Sequence, residues 1–125
     1  FTLKLLDRFF AEALPELLSA ASRSDAVRES LKRLLPSGIF ELTAVARDLG
    51  TSPRQIQREL AAEGTSFKEV VRDFRRELAL HYLALARYSP KEVTLLLGYS
   101  DPAAFHRAFR RWTGETPAQY ASRKR

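Results

Sequence analysis

The 125-residue chain carries 21 Lys and Arg against 15 Asp and Glu, a formal +6 with a sequence pI near 10.1, which favours an anionic partner such as nucleic acid over an acidic substrate alone. The length suits one domain able to bury a core but is short for most enzymes. With no Cys, disulfide frameworks, thiolate zinc sites and thiol catalysis are excluded, and with no long apolar run or signal peptide a cytoplasmic, membrane-free protein is expected.

The chain starts at Phe1 and contains no Met, so it is expected to be a piece of a longer protein. Residues 1–24 open with the amphipathic "FTLKLLDRFFAEALPELLSAA", interrupted by Pro15. The expectation is the tail of an upstream domain or a linker helix, a small helical cap on the next segment being the alternative. Residues 25–125 form the main unit.

Within that unit the punctuation is helical throughout. Ser52-Pro53, Ser89-Pro90, Asp101-Pro102 and Thr116-Pro117 each pair a good N-cap with a Pro at N1, where the missing N–H had no partner anyway. Ser66 with Glu69, and Ser89 with Glu92, have capping-box spacing. Apolar residues recur at helical period through Leu42, Val45, Ala46 and Leu49; Ile56 and Leu60; Phe67, Val70, Val71, Phe74, Leu78 and Leu83; then Phe105 and Phe109. Gly50, Gly64, Gly98 and Gly114 fall at the ends of these stretches. The predicted fold is all-α, with no convincing strand.

An internal repeat organises it. "AVARDLGTSPRQIQREL" and "EVTLLLGYSDPAAFHRAF" share an apolar helix ending Leu-Gly, a polar turn, a cap-plus-Pro start, an apolar anchor (Ile56, Phe105), an Arg two residues on (Arg58, Arg107) and a further apolar residue (Leu60, Phe109). Two short helices around a glycine-containing turn make a helix-turn-helix, whose second helix can enter a DNA major groove. The copies span about residues 41–63 and 90–113, with a closing helix at about 117–123. The bridging helix, about 66–87, would be roughly 33 Å long, close to the ~34 Å of one turn of B-DNA. Both second helices could then reach successive major grooves of one duplex.

The stretch "DLGTSPRQIQRELAAEGTSFKEVVRDFRRELALHYL" followed by "SPKEVTLLLGYSDPAAFHRAFRRWTGETPAQY" resembles the DNA-binding domain of AraC/XylS-type bacterial transcription regulators over residues 25–121 or so. The resemblance implies about seven helices, two helix-turn-helix motifs bridged by a long central helix, and a separate upstream sensing or dimerisation domain. It also implies that Arg54, Gln57 and Arg58 face the groove from the first reading helix, and Ala103, Ala104, His106 and Arg107 from the second. Two departures are visible: Ala103 and Ala104 stand where polar residues are common, and Ala121 follows the closing Tyr where Arg is common. RNA polymerase is the expected partner of the full-length protein.

The residues themselves support this division. Arg54, Gln57 and Arg58 lie opposite Ile56 and Leu60, and Arg and Gln suit bidentate contact with guanine and adenine edges. Residues 90–125 hold seven basic and three acidic residues. Arg107 is assigned to the groove and Arg110 to phosphate or solvent, while Arg111 could equally pair with an acidic neighbour. His106 either donates to DNA or stands idle. Phe105 and Phe109 are expected in the core, with Trp112 partly exposed. Leu95 and Leu96 match Arg47 and Asp48 of the first copy, so one or both are expected to be exposed, open to contact with another domain, RNA polymerase or a neighbouring helix, the last being favoured for one of them.

No cofactor is expected, and catalysis is disfavoured: there is no Cys, no Gly-rich phosphate loop and no metal-ligand spacing. The rival reading is a helical interaction or phosphotransfer module using His81.

Overall fold

The computed structural model describes residues 22–125, which carry seven α-helices and no strand. The expectation for residues 1–21 lies outside the described residues. The helices are α1 Arg23–Leu34, α2 Leu42–Asp48, α3 Pro53–Ala62, α4 Phe67–Ala84, α5 Pro90–Leu96, α6 Pro102–Thr113 and α7 Pro117–Lys124, with a 3₁₀ turn at Leu35–Ser37. They group into two compact units: residues 22–33 with 41–70, and residues 34–40 with 71–125.

The first unit is α1 laid on the α2–α3 motif. Its interior is Ala26, Val27, Leu31, Val45, Ala46, Ile56, Leu60 and Val70, all buried. Burying an aliphatic side chain of this size stabilises by about 1.5–3 kcal/mol. Polar ties reinforce the packing at both ends of α1. The Glu63 carboxylate accepts from the Ser24 N–H at 3.2 Å and the Ser24 hydroxyl at 2.8 Å, so an acid at the end of α3 meets the unpaired donors and positive dipole end of α1. Arg23 donates to Glu59, and Arg33 to Asp48.

The second unit surrounds an aromatic core. Ala79, Leu83, Val93, Leu97, Phe105, Phe109 and Ala121 are buried together, with Tyr82, Tyr88, Tyr99, Trp112 and Tyr120 packed against them. Phe109 has Phe105 at 5.9 Å and the edge-on ring of Tyr120 at 5.7 Å, arrangements that favour aromatic pairs. Ala121 is buried there, which gives a packing reason for a small residue after Tyr120.

All four cap-plus-Pro starts form. The side chains of Ser52, Ser89, Asp101 and Thr116 accept from the N–H groups of Gln55, Glu92, Ala103 and Gln119, and Ser89–Glu92 and Thr116–Gln119 are complete capping boxes. Each such cap is worth about 1 kcal/mol. Ser66 accepts from the Glu69 N–H at 3.2 Å and starts α4 in the same way.

α4 stops at Ala84 rather than near Arg87, leaving 18 residues, or about 27 Å. The reason lies downstream. Ser89 must be extended (ψ 159°) to cap α5 and precedes Pro90, so the chain turns through residues 85–88 instead of continuing as helix.

Candidate nucleic-acid interface

In α3, the Ser52 cap and Pro53 set the helix start, while Ile56 and Leu60, both 0% exposed, fix its rotation. The opposite face therefore carries Arg54, Gln57 and Arg58, spaced i, i+3 and i+4, and all three are exposed. None makes a side-chain hydrogen bond or ion pair with another described residue. The acid on this helix is occupied elsewhere: Glu59 accepts from Arg23 and, at 2.8 Å, from Gln55. The Arg23 guanidinium holds the Glu59 carboxyl below its usual range. Glu59 thus pairs with neither Arg54 nor Arg58.

α6 repeats the scheme with different chemistry. Asp101 accepts from the Ala103 N–H at 3.0 Å, and Phe105, Ala108 and Phe109 are buried. Ala103, His106, Arg107 and Arg110 are exposed on the other side, whereas Ala104 is half-buried at the edge. Arg107, Arg110 and Arg111 are likewise unpaired among the described residues. The alternative that Arg111 pairs with a neighbouring acid does not materialise, and two acids of this unit have partners of their own. Glu115 accepts from Arg123 at 2.7 Å, whose guanidinium lowers its pKa, and Glu92 accepts from the Ser89 hydroxyl at 3.1 Å. Arg110 and Arg111 also sit in the last turn of α6, where the helix dipole favours cations.

Three further placements matter. Leu95 and Leu96 are both exposed, at 67% and 38%, one of the two outcomes the sequence leaves open. Val93 and Thr94 of α5 and Leu97 just after it are buried, which leaves Leu95 and Leu96 on the outer side. His81 is exposed, its ring 5.2 Å from that of Tyr82, and no group of three or more potential metal ligands occurs among the described residues. Arg75 is a residue that the helical pattern alone does not assign, although it carries a signal: it interrupts the stripe of Val71, Phe74, Leu78 and Ala79 at helical spacing.

A short helix, a glycine turn and a second, capped helix with a free basic face, present twice, define a helix-turn-helix protein. The family model described as a helix-turn-helix domain matches residues 45–123. The ornithine utilization regulator of Pseudomonas aeruginosa is 38% identical over 107 residues, 83% of this chain and 32% of that protein. VirS of Mycobacterium tuberculosis, an HTH-type transcriptional regulator, is 41% identical over 104 residues, 83% of this chain and 31% of its own length. Among solved structures, a DNA-binding transcriptional dual regulator from Escherichia coli K-12 superposes with a TM-score of 0.67 at 27% identity, over 78% of this chain and 91% of that one. The DNA-binding domain of AdpA, solved in complex with a target DNA, superposes with a TM-score of 0.60 at 25% identity, over 77% and 89%. The chain belongs to the AraC/XylS family of transcription regulators and is a DNA-binding domain of that family. It spans about a third of the length of the curated relatives above, which are transcription regulators, not enzymes. Among the described residues no helix is long and apolar enough to cross a membrane.

Proposed function

We propose that the domain binds one duplex in a sequence-specific manner with α3 and α6 in successive major grooves. The observation that carries this reading is the duplicated free basic face: Arg54, Gln57 and Arg58 on α3, and Ala103, His106, Arg107 and Arg110 on α6, exposed with no partner for any charged or polar member. In this reading Arg58 and Arg54 contact guanine edges, Gln57 an adenine edge, and Arg107 a base in the second groove. Ala103, with Ala104 beside it, offers only methyl contact, and His106 donates to a base or phosphate. Arg110 neutralises a phosphate.

The second half-site is thus read with fewer hydrogen bonds than the first and relies more on backbone charge and shape. Residues 25–125 constitute the DNA-binding domain, and the full-length protein joins it to an upstream sensing or dimerisation domain and works with RNA polymerase in the cytoplasm. The names of the relatives support regulation as the outcome, and family membership favours DNA over phosphotransfer at His81.

Selection of bound sequences from a random duplex library tests the proposal and finds the site together. A preferred site of about two helical turns, bound by a single chain and not required to be palindromic, is expected. Enrichment of no sequence, or of a site about one groove wide, would contradict it.

A further inference from the structure

Arg75 sits in α4 four residues after buried Val71 and four before buried Ala79, where an aliphatic side chain would pack without desolvating a charge. Its Nε is buried and has no hydrogen-bond partner among the described residues. What it has is two aromatic rings. The guanidinium carbon lies 4.5 Å from the centroid of Phe40 and 4.9 Å from that of Tyr99, within cation–π range of both.

Both rings belong to tightly placed neighbours. Phe40 leans on Phe74 at 6.4 Å, and its edge comes so near Gly98 that a Cβ there would meet Cε2 at 2.9 Å. Tyr99 lies in the turn between α5 and α6, and its ring meets that of Phe105 at 5.4 Å. Phe105 is the first buried anchor of α6. The contacts run from Arg75 through Tyr99 and Phe105 to the helix that carries His106 and Arg107.

We propose that Arg75 is a positioning residue for DNA reading by α6, its guanidinium fixing the Tyr99 ring and thereby the rotation at which α6 presents Ala103, His106 and Arg107. A guanidinium is flat and attracts ring faces, so it fixes orientation as well as distance, whereas an aliphatic filler would fix volume alone. This role rests on the reading of α6 as a groove helix.

Two measurements separate the clamp from that reading. In the free chain, Tyr99–Phe105 ring contacts are followed by aromatic nuclear Overhauser effects in the parent, in Arg75→Met, which keeps the apolar stem, and in Arg75→Lys, which keeps the charge without the plane. With helicity by circular dichroism unchanged, the contacts are expected to weaken in Arg75→Met and to be intermediate in Arg75→Lys. On a duplex selected by the parent, Arg75→Met is expected to bind about tenfold more weakly, losing hydroxyl-radical protection over the half-site assigned to α6 and keeping it over the other. If Arg75→Met does not fold, Tyr99→Leu, which keeps apolar contact with Phe105 but leaves Arg75 only the Phe40 ring, carries the same expectation for the footprint.

Unchanged ring contacts in a folded Arg75→Met overturn the clamp, as does equal loss of protection over both half-sites. Unfolding of both variants overturns positioning in favour of a purely structural role. A parent that protects one half-site only counts against the two-groove reading, while the ring contacts still decide on Arg75.

Discussion

Arg33 reaches one carboxylate oxygen of Asp48 with two donors, Nε at 3.1 Å and Nη2 at 2.7 Å, and so ties the last turn of α1 to the last residue of α2. The Arg33 guanidinium holds the Asp48 carboxyl below the usual carboxylate range. Glu59 and Glu63 are also lowered, Glu59 by the Arg23 guanidinium; for Glu63 the hydrogen bonds from Arg23 and Ser24 outweigh an opposing effect of burial. A carboxyl whose folded pKa is depressed contributes stability that is fully present above its unfolded value and is lost as pH falls through the folded value. The first unit is therefore expected to be insensitive to pH above about 5 and to lose stability progressively below about pH 4. Urea unfolding across this range checks it. Asp48→Asn should cost ~0.2–1 kcal/mol at pH 7, as a surface pair does, and should flatten the acid limb.

Gly98 and Gly114 give a paired test of backbone strain against crowding. Both are left-handed, with φ 78° and 80°, but a Cβ on Gly98 would strike Phe40, whereas one on Gly114 meets nothing within 4 Å. Gly114→Ala is expected to cost about 1 kcal/mol for the left-handed conformation alone. Gly98→Ala should cost more, about 2–4 kcal/mol, because the Phe40 ring must shift as well. Equal losses in urea unfolding would mean that Phe40 yields freely.

Leu95 and Leu97 differ in the same helix neighbourhood by burial alone, 67% exposed against 0%. Leu97→Ala is expected to destabilise by about 2–5 kcal/mol and Leu95→Ala by less than about 0.5 kcal/mol. Thermal melts of the two variants decide whether Leu95 is truly outside the core.

The contrast between these residues shows how far the sequence carries the structure. Helix starts were legible because each Ser-Pro, Asp-Pro or Thr-Pro acts locally, through a bond of its own side chain to an N–H two or three residues away. The exposed faces of α3 and α6 were legible because Ile56, Leu60, Phe105 and Phe109 fix rotation by period. What escaped depends on contacts distant in sequence. Nothing near Glu63 says that it meets Ser24, and nothing near Arg75 says that Phe40 and Tyr99 converge on it. The end of α4 comes earlier than its apolar period suggests because the demand that ends it arises from the capping of α5. Leu96 aligned with Asp48, which α1 reaches through Arg33, but the repeat could not say whether anything would cover the second copy.

Reading and positioning residues should separate in binding. Arg58→Ala is expected to cost about 1–3 kcal/mol and to relax preference at one base pair. Arg110→Ala should weaken binding to all sequences alike and reduce the salt slope by about one unit. Titrations of both variants on matched and scrambled duplexes, at several salt concentrations, provide the comparison. Uniform loss in both would erase the distinction.

The most direct test of two-groove reading is a pair of hydroxyl-radical footprints on the selected duplex, one with Arg58→Ala and one with Arg107→Ala. Each variant is expected to weaken protection over a different segment, the two centred about one helical turn, ~10 base pairs, apart. If both variants lose the same segment, or if Arg107→Ala leaves the footprint unchanged, a single helix reads the DNA and the account given for α6 is wrong.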